Sequence, residues 1–277
     1  MHDKQDMKDD FFRSNDILWL TNRCNNNCII CQDKVPGLDI SKSMAEIKAE
    51  ICNLTRDGRK RIVIYGGEPY LNSNMLSVLE YLSKEHISCM IHTNARVYAK
   101  ECIADSLLKI NAEVVSTLFS NRKEIHDRIT ETPGSFDQTI SGFKNLVARE
   151  IPLTVTIVLT SMNTVDLPET AGLLCDLGAS CIKISGLVDQ GRMKNRHELI
   201  PPFGSVVENI KKAMEILNSR TKKPDILFEK LPFCAVGSYH DRFLFEKQHQ
   251  GNILIWPHDK MQCKGCRHKK MCMALLK

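Results

Sequence analysis

Short apolar runs alternate with helical patterns along most of this 277-residue chain, and this alternation restricts the fold more than any other feature. The predicted strands are Ile17–Leu20, Arg61–Tyr65, Ile87–His92, Val114–Phe119, Leu153–Leu159 and Cys181–Ser185. Helical patterns between these runs are typical of βαβ units and a parallel sheet. Six such units are too few for a closed eightfold barrel, so we expect an α/β fold built as an open or partial barrel. A doubly wound sheet has the same periodicity and stays an alternative.

The alternation breaks after Ser185. A polar segment and a helical pattern over 204–220 are followed by short extended stretches at 226–228, 243–245 and 252–256, and then by a cysteine-rich end. We place a domain boundary near Lys222–Pro224, which divides the chain into a core at 1–222 and a small C-terminal extension at 223–277.

The chain contains 12 cysteines, and the compartment decides how they are used. Residues 1–10 lack the apolar core of a secretory signal, and no apolar run approaches the roughly 18 residues of a membrane span. We therefore expect a cytoplasmic protein with no membrane partner, in which cysteines are metal ligands rather than disulfides. Five isolated cysteines are predicted to be ordinary core residues: Cys52, Cys89, Cys102, Cys175 and Cys181.

Three cysteines lie directly after the first predicted strand, on one short loop: Cys24, Cys28 and Cys31. Thiolate sulfur selects zinc or iron–sulfur clusters over hard cations. A structural zinc ion takes four ligands, and this loop supplies no nearby fourth Cys or His. Three thiolates on a cubane cluster instead leave one iron open to a substrate or cofactor. Zinc completed from elsewhere in the chain stays the alternative.

Three further motifs follow this loop in order, at or after predicted strand ends. Gly66–Pro69 (Gly-Gly-Glu-Pro) closes the second strand and His92–Asn94 (His-Thr-Asn) closes the third, while His126-Asp127 and Thr132–Phe136 follow the fourth. Together with the C-x3-C-x2-C loop, this series resembles the radical S-adenosylmethionine (SAM) enzymes over about residues 14–220. The segment after the fourth strand is similar to that of members that modify peptides and natural products.

The resemblance implies a partial (β/α)6 barrel in which Cys24, Cys28 and Cys31 hold a [4Fe–4S] cluster and SAM chelates the open iron. The reduced cluster would cleave SAM to methionine and a 5′-deoxyadenosyl radical, which abstracts hydrogen from the substrate. Such chemistry implies an electron donor such as flavodoxin or ferredoxin. The implied SAM contacts are Gly66, Gly67 and Glu68 near the SAM ammonium, Asn94 as a polar contact, and Thr117.

One position departs from the family pattern. Many peptide-modifying members have an arginine that contacts the SAM carboxylate where this chain has Thr130. Arg128 is near, but an offset of two residues points to another side of a helix. The partner of the SAM carboxylate is therefore left open.

A second group of cysteines lies near the C-terminus: Cys263, Cys266 and Cys272, with Cys234 upstream. Four thiols match a fully ligated [4Fe–4S] cluster or a zinc site, and their spacing does not separate the two. The pattern resembles the Twitch-type extension of some radical SAM enzymes, a shorter relative of the SPASM type, which implies a second, auxiliary [4Fe–4S] cluster. In another arrangement Cys234 stays outside the cluster and donates a hydrogen atom, as in radical epimerases.

The net charge of +5 is concentrated beside this second group. Six cations and no acid follow Asp259, which leaves −1 on the rest of the chain. The tail is either a solvated surface or a set of charges that balances an anionic cluster or contacts an acidic partner. A nucleic-acid partner is not expected, because the chain lacks a basic footprint over a whole domain and aromatic residues among the tail cations.

Two functions are open at this point. The first is a radical SAM oxidoreductase or maturase acting on a ribosomal peptide, with epimerisation or dehydrogenation of a sugar or other small natural product as the alternative substrate chemistry. Only about 15 residues precede the first strand, which weakens the peptide case unless a separate protein supplies recognition. The second is a non-catalytic metal-binding module in which both clusters are structural.

Overall fold

The computed structural model describes residues 17–33 and 40–244, which form a parallel sheet with helices. Its seven strands follow chain order: β1 (Ile17–Trp19), β2 (Arg61–Tyr65), β3 (Ser88–His92), β4 (Ala112–Thr117), β5 (Leu153–Val158), β6 (Cys181–Ser185) and β7 (Asp225–Glu229). The α-helices of this part of the chain are α1 (Met44–Leu54), α2 (Met75–Lys84), α3 (Glu101–Asp105), α4 (Lys123–Thr130), α5 (Ser135–Ala148), α6 (Leu167–Leu177) and α7 (Phe203–Ser219). The predicted α/β alternation is confirmed, and the sheet has one strand more than predicted.

Buried aliphatic side chains on both faces account for the strands. In β2 the three central residues are buried. Val63 packs on one face with Met90 and Val115, while Ile62 and Ile64 lie on the other face with 0% exposure. A sheet covered on both faces is what parallel strands require.

Local capping explains where several helices begin and end. At α1, Ser43 Oγ accepts a hydrogen bond from Glu46 N and the Glu46 carboxylate accepts one from Ser43 N, so the helix begins at a capping box. Gly178, at φ 89°, ends α6 in the left-handed conformation. α2 begins after Asn74, whose side chain makes no capping hydrogen bond.

The helical segment between β3 and β4 is only partly α-helical. Its first part is α3, and Ser106–Lys109 continues as a 3-10 turn. Ser106 Oγ donates to Ile103 O at 2.6 Å, a local bond that competes with regular helical pairing.

Strand β7 lies beyond residue 222, where the sequence places a domain boundary. It pairs with β6 along its whole length, with Lys183 opposite Leu227. The sheet therefore continues to Glu229, and the predicted stretch 226–228 is a strand of that sheet.

The chain divides into two compact units. In the first unit the structure describes residues 17–27, 33, 40–116 and 137–154. In the second unit it describes residues 28–32, 117–136 and 155–244. Cys24 therefore belongs to the first unit, and Cys28 and Cys31 belong to the second. No helix among the described residues is long and apolar enough to cross a membrane.

The prediction of five core cysteines is partly wrong. Cys89 and Cys181 are buried, Cys175 is half-buried, and Cys52 and Cys102 are exposed on α1 and α3. Cys52 directly follows the buried Ile51, and one residue along a helix turns the side chain about 100° towards solvent. The nine cysteines in the described ranges form no disulfide.

Candidate active site

The chain enters the cysteine loop through a segment packed against Gly66 and Gly67. Gly67 N donates to Thr21 O at 2.8 Å. A Cβ on Gly66 would lie 2.3 Å from Thr21 O, and one on Gly67 would lie 2.3 Å from Arg23 O. The glycine pair is therefore required by main-chain contact with the residues that lead into Cys24, and its predicted contact with SAM stays a prediction.

Glu68 is completely buried and holds the end of the neighbouring strand. Its carboxylate oxygens accept from the Thr93 hydroxyl at 2.9 and 2.8 Å, and one of them accepts from Asn94 N at 2.9 Å. Burial raises the pKa of Glu68, and the hydrogen bonds from Asn94, Thr93 and the Tyr70 amide oppose that shift. At 0% exposure the carboxylate positions the Asn94 main chain, and the predicted contact of Glu68 with the SAM ammonium stays a prediction.

Asn94 and Arg96 connect the end of β3 to the cysteine loop. Asn94 Nδ2 donates to Asn25 Oδ1 at 2.6 Å and lies 3.8 Å from Cys24 Sγ. The Arg96 guanidinium donates to Asn25 O and to Asn26 Oδ1 at 2.7 Å. Two predicted site residues, Cys24 and Asn94, therefore lie together. Arg96 was not predicted, and the order Thr-Asn-x-Arg at a strand end is the signal that points to it.

Three aromatic side chains lie in a row at the last positions of β1, β2 and β3. The ring centroids of Trp19 and Tyr65 are 5.2 Å apart, and those of Tyr65 and His92 are also 5.2 Å apart. The Tyr65 hydroxyl donates to Asp33 Oδ2 at 2.7 Å. All four residues are half-buried. They are candidates for substrate contact. Apart from His92, which lies in the His-Thr-Asn motif, no sequence pattern distinguishes them.

In the second unit, the turn Cys28–Gln32 packs against a buried hydrophobic cluster. Ile29 N donates to Ile129 O at 2.9 Å, and Cys31 N donates to Cys28 O at 3.1 Å. Ile29 belongs to a buried cluster, against which Cys28 packs; its other members are Phe119, Ile129, Leu187, Met193 and Leu199. Two predicted ligands, Cys28 and Cys31, are thus half-buried on one anchored turn.

Thr130 supplies no contact for a carboxylate ligand. It is buried, and its hydroxyl donates to His126 O at 3.0 Å and lies 2.7 Å from Ser135 Oγ. Arg128 is exposed and lines a cavity of about 800 Å³. The cavity lies in the second unit, and its wall includes Ile29, Met162 and Arg196.

Asp127 organises the beginning of α5. Its carboxylate accepts hydrogen bonds from Gly134 N at 2.7 Å, Ser135 Oγ at 2.8 Å and Phe136 N at 2.8 Å. Burial alone would raise the pKa of Asp127, but these hydrogen bonds outweigh it and lower the pKa. The His-Asp and Gly-Ser-Phe motif therefore has a structural role at a helix N-terminus.

Replacing Asp127 by Ala is expected to destabilise the protein by about 1 kcal/mol at pH 7, because a helix N-terminus loses its acceptor. Since folding lowers this pKa, the stabilisation is present above the unfolded value of about 4 and is lost as pH falls through the lowered folded value. Urea midpoints of wild type and variant should differ at pH 7 and approach each other as pH falls through the lowered pKa of Asp127. The control is Asp57→Ala, which removes an exposed pair with Arg59 and should cost less than about 1 kcal/mol. A difference that stays constant across this pH range would contradict the interpretation.

The donors of the first cysteine group fit an iron–sulfur cluster. Cys24 Sγ accepts from Asn26 N at 3.4 Å and from Asn94 Nδ2 at 3.8 Å, and hydrogen bonds to sulfur of this kind tune iron–sulfur centres. Within 17–33 and 40–244, no three His, Cys, Asp or Glu side chains are arranged to hold a metal ion. The fit therefore rests on donor chemistry, which is three soft thiolate ligands on one short loop.

The remaining predicted residues lie at the end of β4 and beyond β7. Thr117 is half-buried as the last residue of β4. Cys234 is exposed in the 3-10 turn Phe233–Ala235. The stretch 252–256, the basic tail and the other three cysteines of the second group lie outside the described residues: Cys263, Cys266 and Cys272. The auxiliary cluster stays a prediction.

The family model described as the radical SAM superfamily matches residues 20–174, more than half of the chain. The matched region contains the first cysteine loop, the Gly66–Pro69 segment and Asn94. The chain belongs to the radical SAM superfamily. This family uses a [4Fe–4S] cluster and SAM.

Several curated proteins are similar in sequence to this chain. An AdoMet-dependent heme synthase of Methanosarcina barkeri is 25% identical over 67% of this chain and 54% of the relative. The mycofactocin maturase MftC of Mycolicibacterium smegmatis is 26% identical over 92% of this chain and 76% of the relative. An uncharacterised protein of Methanocaldococcus jannaschii, MJ0907, is 28% identical over 90% of this chain and 87% of the relative.

Solved structures share the fold. Streptococcus suis SuiB bound to S-adenosylmethionine aligns with a TM-score of 0.63 at 14% identity, covering 76% of this chain and 49% of SuiB. The anSMEcpe protein with bound AdoMet aligns with a TM-score of 0.64 at 14% identity, covering 76% of this chain and 63% of that protein. The chain thus spans about half the length of SuiB and of the heme synthase.

Proposed function

We propose that Cys24, Cys28 and Cys31 hold the [4Fe–4S] cluster at which this radical SAM enzyme cleaves SAM. The observation that carries the proposal is the family match over 20–174, which contains all three cysteines on one loop. When bound, the cluster and SAM together supply a 5′-deoxyadenosyl radical that abstracts hydrogen from the substrate.

The chain's own residues hold and orient these groups. Asn94 provides donors for sulfur and for polar atoms of SAM, and the buried Glu68 carboxylate fixes its main chain. Main-chain atoms of Gly66 and Gly67 and the Thr117 hydroxyl are the further SAM contacts that we propose. Thr130 is excluded as the partner of the SAM carboxylate, because its buried hydroxyl donates to His126 O within its own helix.

A ribosomal peptide is the substrate class that we propose, and the reaction is its oxidative or radical maturation. Support comes from relatives named for such work, the mycofactocin maturase and the SuiB structure bound to precursor peptide SuiA. A small natural product is the second candidate, favoured by the similarity to the heme synthase and to a probable GTP 3′,8-cyclase of M. jannaschii. We expect a flavodoxin or ferredoxin to supply the electron.

We also propose a second, auxiliary [4Fe–4S] cluster held by Cys234, Cys263, Cys266 and Cys272. The support is the number of thiols and the exposure of Cys234. Zinc at these four residues, or a three-cysteine arrangement with Cys234 as hydrogen-atom donor, are the alternatives.

One experiment tests the central proposal. After anaerobic reconstitution, iron and zinc are counted and 5′-deoxyadenosine is measured with SAM and dithionite. We expect 5′-deoxyadenosine and about eight irons per chain, of which about four belong to the auxiliary cluster. Bound zinc without SAM cleavage would exclude the proposal, and about four irons with cleavage would exclude only the auxiliary cluster. Deuterium transfer to 5′-deoxyadenosine from labelled candidate peptides, compared with labelled metabolites, then decides between the substrate classes.

A further inference from the structure

The loop after β6 contacts the turn Cys28–Gln32 through its main chain. Arg192 N donates to Cys31 O at 2.8 Å. Gly191 has φ +59°, and a Cβ on it would lie 2.4 Å from Cys31 O. The two backbones therefore touch directly, and the glycine is required by both its conformation and the contact.

Two guanidinium groups face the carbonyl oxygens of the same turn. Arg192 Nη1 donates to Cys28 O at 3.1 Å and pairs with Glu131 Oε2 at 2.9 Å. Arg196 Nη1 donates to Ile29 O at 3.3 Å, and its Nε pairs with Glu198 Oε1 at 3.1 Å. Each arginine thus joins a carbonyl of the cysteine turn to a carboxylate.

A cation at the carbonyl end of a peptide polarises that peptide and adds positive potential at the thiolates on the turn. Positive potential stabilises the more negative, reduced form of an iron–sulfur cluster, and local charge and hydrogen bonding are the terms that set cluster potentials. The carboxylate of Glu131 opposes the cation that it pairs with. Removing the arginine and removing the glutamate should therefore have effects of opposite sign.

We propose that Arg192 is a positioning residue that raises the reduction potential of the SAM-binding cluster through the Cys28–Gln32 turn, with Glu131 as an opposing charge. The inference rests on the proposed function, in which Cys28 and Cys31 ligate that cluster. It concerns the readiness of the cluster to accept an electron, and not the substrate.

The test is an anaerobic redox titration of the reconstituted full-length protein, followed by EPR. The signal that changes when SAM is added identifies the SAM-binding cluster. For Arg192→Gln we expect the ratio of reduced to oxidised cluster at a fixed potential to fall about tenfold, which is the effect of losing one charge-assisted hydrogen bond. For a one-electron couple this corresponds to a fall in reduction potential of about 59 mV. For Glu131→Gln we expect the ratio to rise about threefold.

If the Arg192–Glu131 ion pair were merely structural, breaking it would shift the reduction potential in the same direction in both variants. Shifts of the same sign, or no shift, would therefore overturn the proposal. Arg192→Lys keeps the charge and should restore most of the wild-type ratio. If the Arg192→Gln protein does not hold its cluster, the substitution of the partly exposed Glu131 decides alone. A rise in the ratio of reduced to oxidised cluster in Glu131→Gln would support the proposal, and no rise would overturn it. The control is Arg220→Gln, which breaks an exposed pair with Asp176; a shift as large as that of Arg192→Gln would also overturn it. A wild-type protein without a SAM-responsive cluster would instead refute the proposed function.

Discussion

The Cys28→Ala variant is expected to lose SAM-dependent formation of 5′-deoxyadenosine and about four irons per chain. Three thiolates are the smallest set that holds a cubane cluster and leaves one iron open, so the loss of one thiolate removes both the anchor and the site for SAM. The Cys28 side chain is half-buried against an apolar cluster, where Ala is tolerated without burying a new polar group. The loss should therefore concern the cluster and not the fold.

The matched control is Cys52→Ala. Cys52 is an exposed cysteine on α1, and its replacement should leave iron content, SAM cleavage and thermal stability at wild-type values. Iron determination, deoxyadenosine chromatography and far-UV circular dichroism on both variants separate the two cases. A Cys28→Ala protein that still cleaves SAM would remove Cys28 from the ligand set, and equal losses in both variants would point to general damage.

The Gly67→Ala variant is expected to be destabilised by about 3 kcal/mol and to load poorly with iron. The new methyl group would lie 2.3 Å from Arg23 O, which is main chain and cannot turn away as a flexible side chain would. Because Arg23 directly precedes Cys24, any shift that relieves the clash displaces the entry to the cysteine loop. Urea unfolding gives the free-energy change, and iron content after reconstitution gives the effect on the site.

Gly204→Ala is the control for this substitution. A Cβ on Gly204 has nothing within 4 Å, and the residue lies in the first turn of α7, so Ala should be neutral or stabilise by up to about 1 kcal/mol. A Gly67→Ala protein as stable as this control would mean that the main chain at Arg23 shifts to admit the methyl group at little cost in stability. The tight main-chain packing would then not define the site.

Much of the fold followed from local patterns in the sequence. The run Arg61–Tyr65 and the run Cys181–Ser185 have the predicted bounds, because consecutive β-branched and aliphatic residues need burial on both faces. Ser43 with Glu46 fixed the beginning of α1 for an equally local reason. For β7 the sequence predicts only an extended stretch outside the core, because the pairing of Asp225–Glu229 with β6 is a long-range contact without a local signal.

The candidate site divides in the same way. The cysteine spacing and the Gly66–Pro69 motif identified the chemistry, because soft ligands on a short loop and glycines at a strand end are visible in order along the chain. Neither the burial of Glu68 nor the contacts of Arg96 and Arg192 was predicted. Arg96 contacts the loop from 71 residues away, and Arg192 contacts Cys28 from 164 residues away.

The sequence by itself determined that this protein is a parallel α/β chain with a three-cysteine loop of the radical SAM type, since strand periodicity and cysteine spacing are local properties. Only the tertiary structure decided which groups surround that loop. It placed Gly67 against Arg23, Glu68 inside the protein under Asn94, and Arg192 on the carbonyl side of the cysteine turn. Such contacts depend on the packing of strand ends that are far apart in the chain, and no local pattern encodes them.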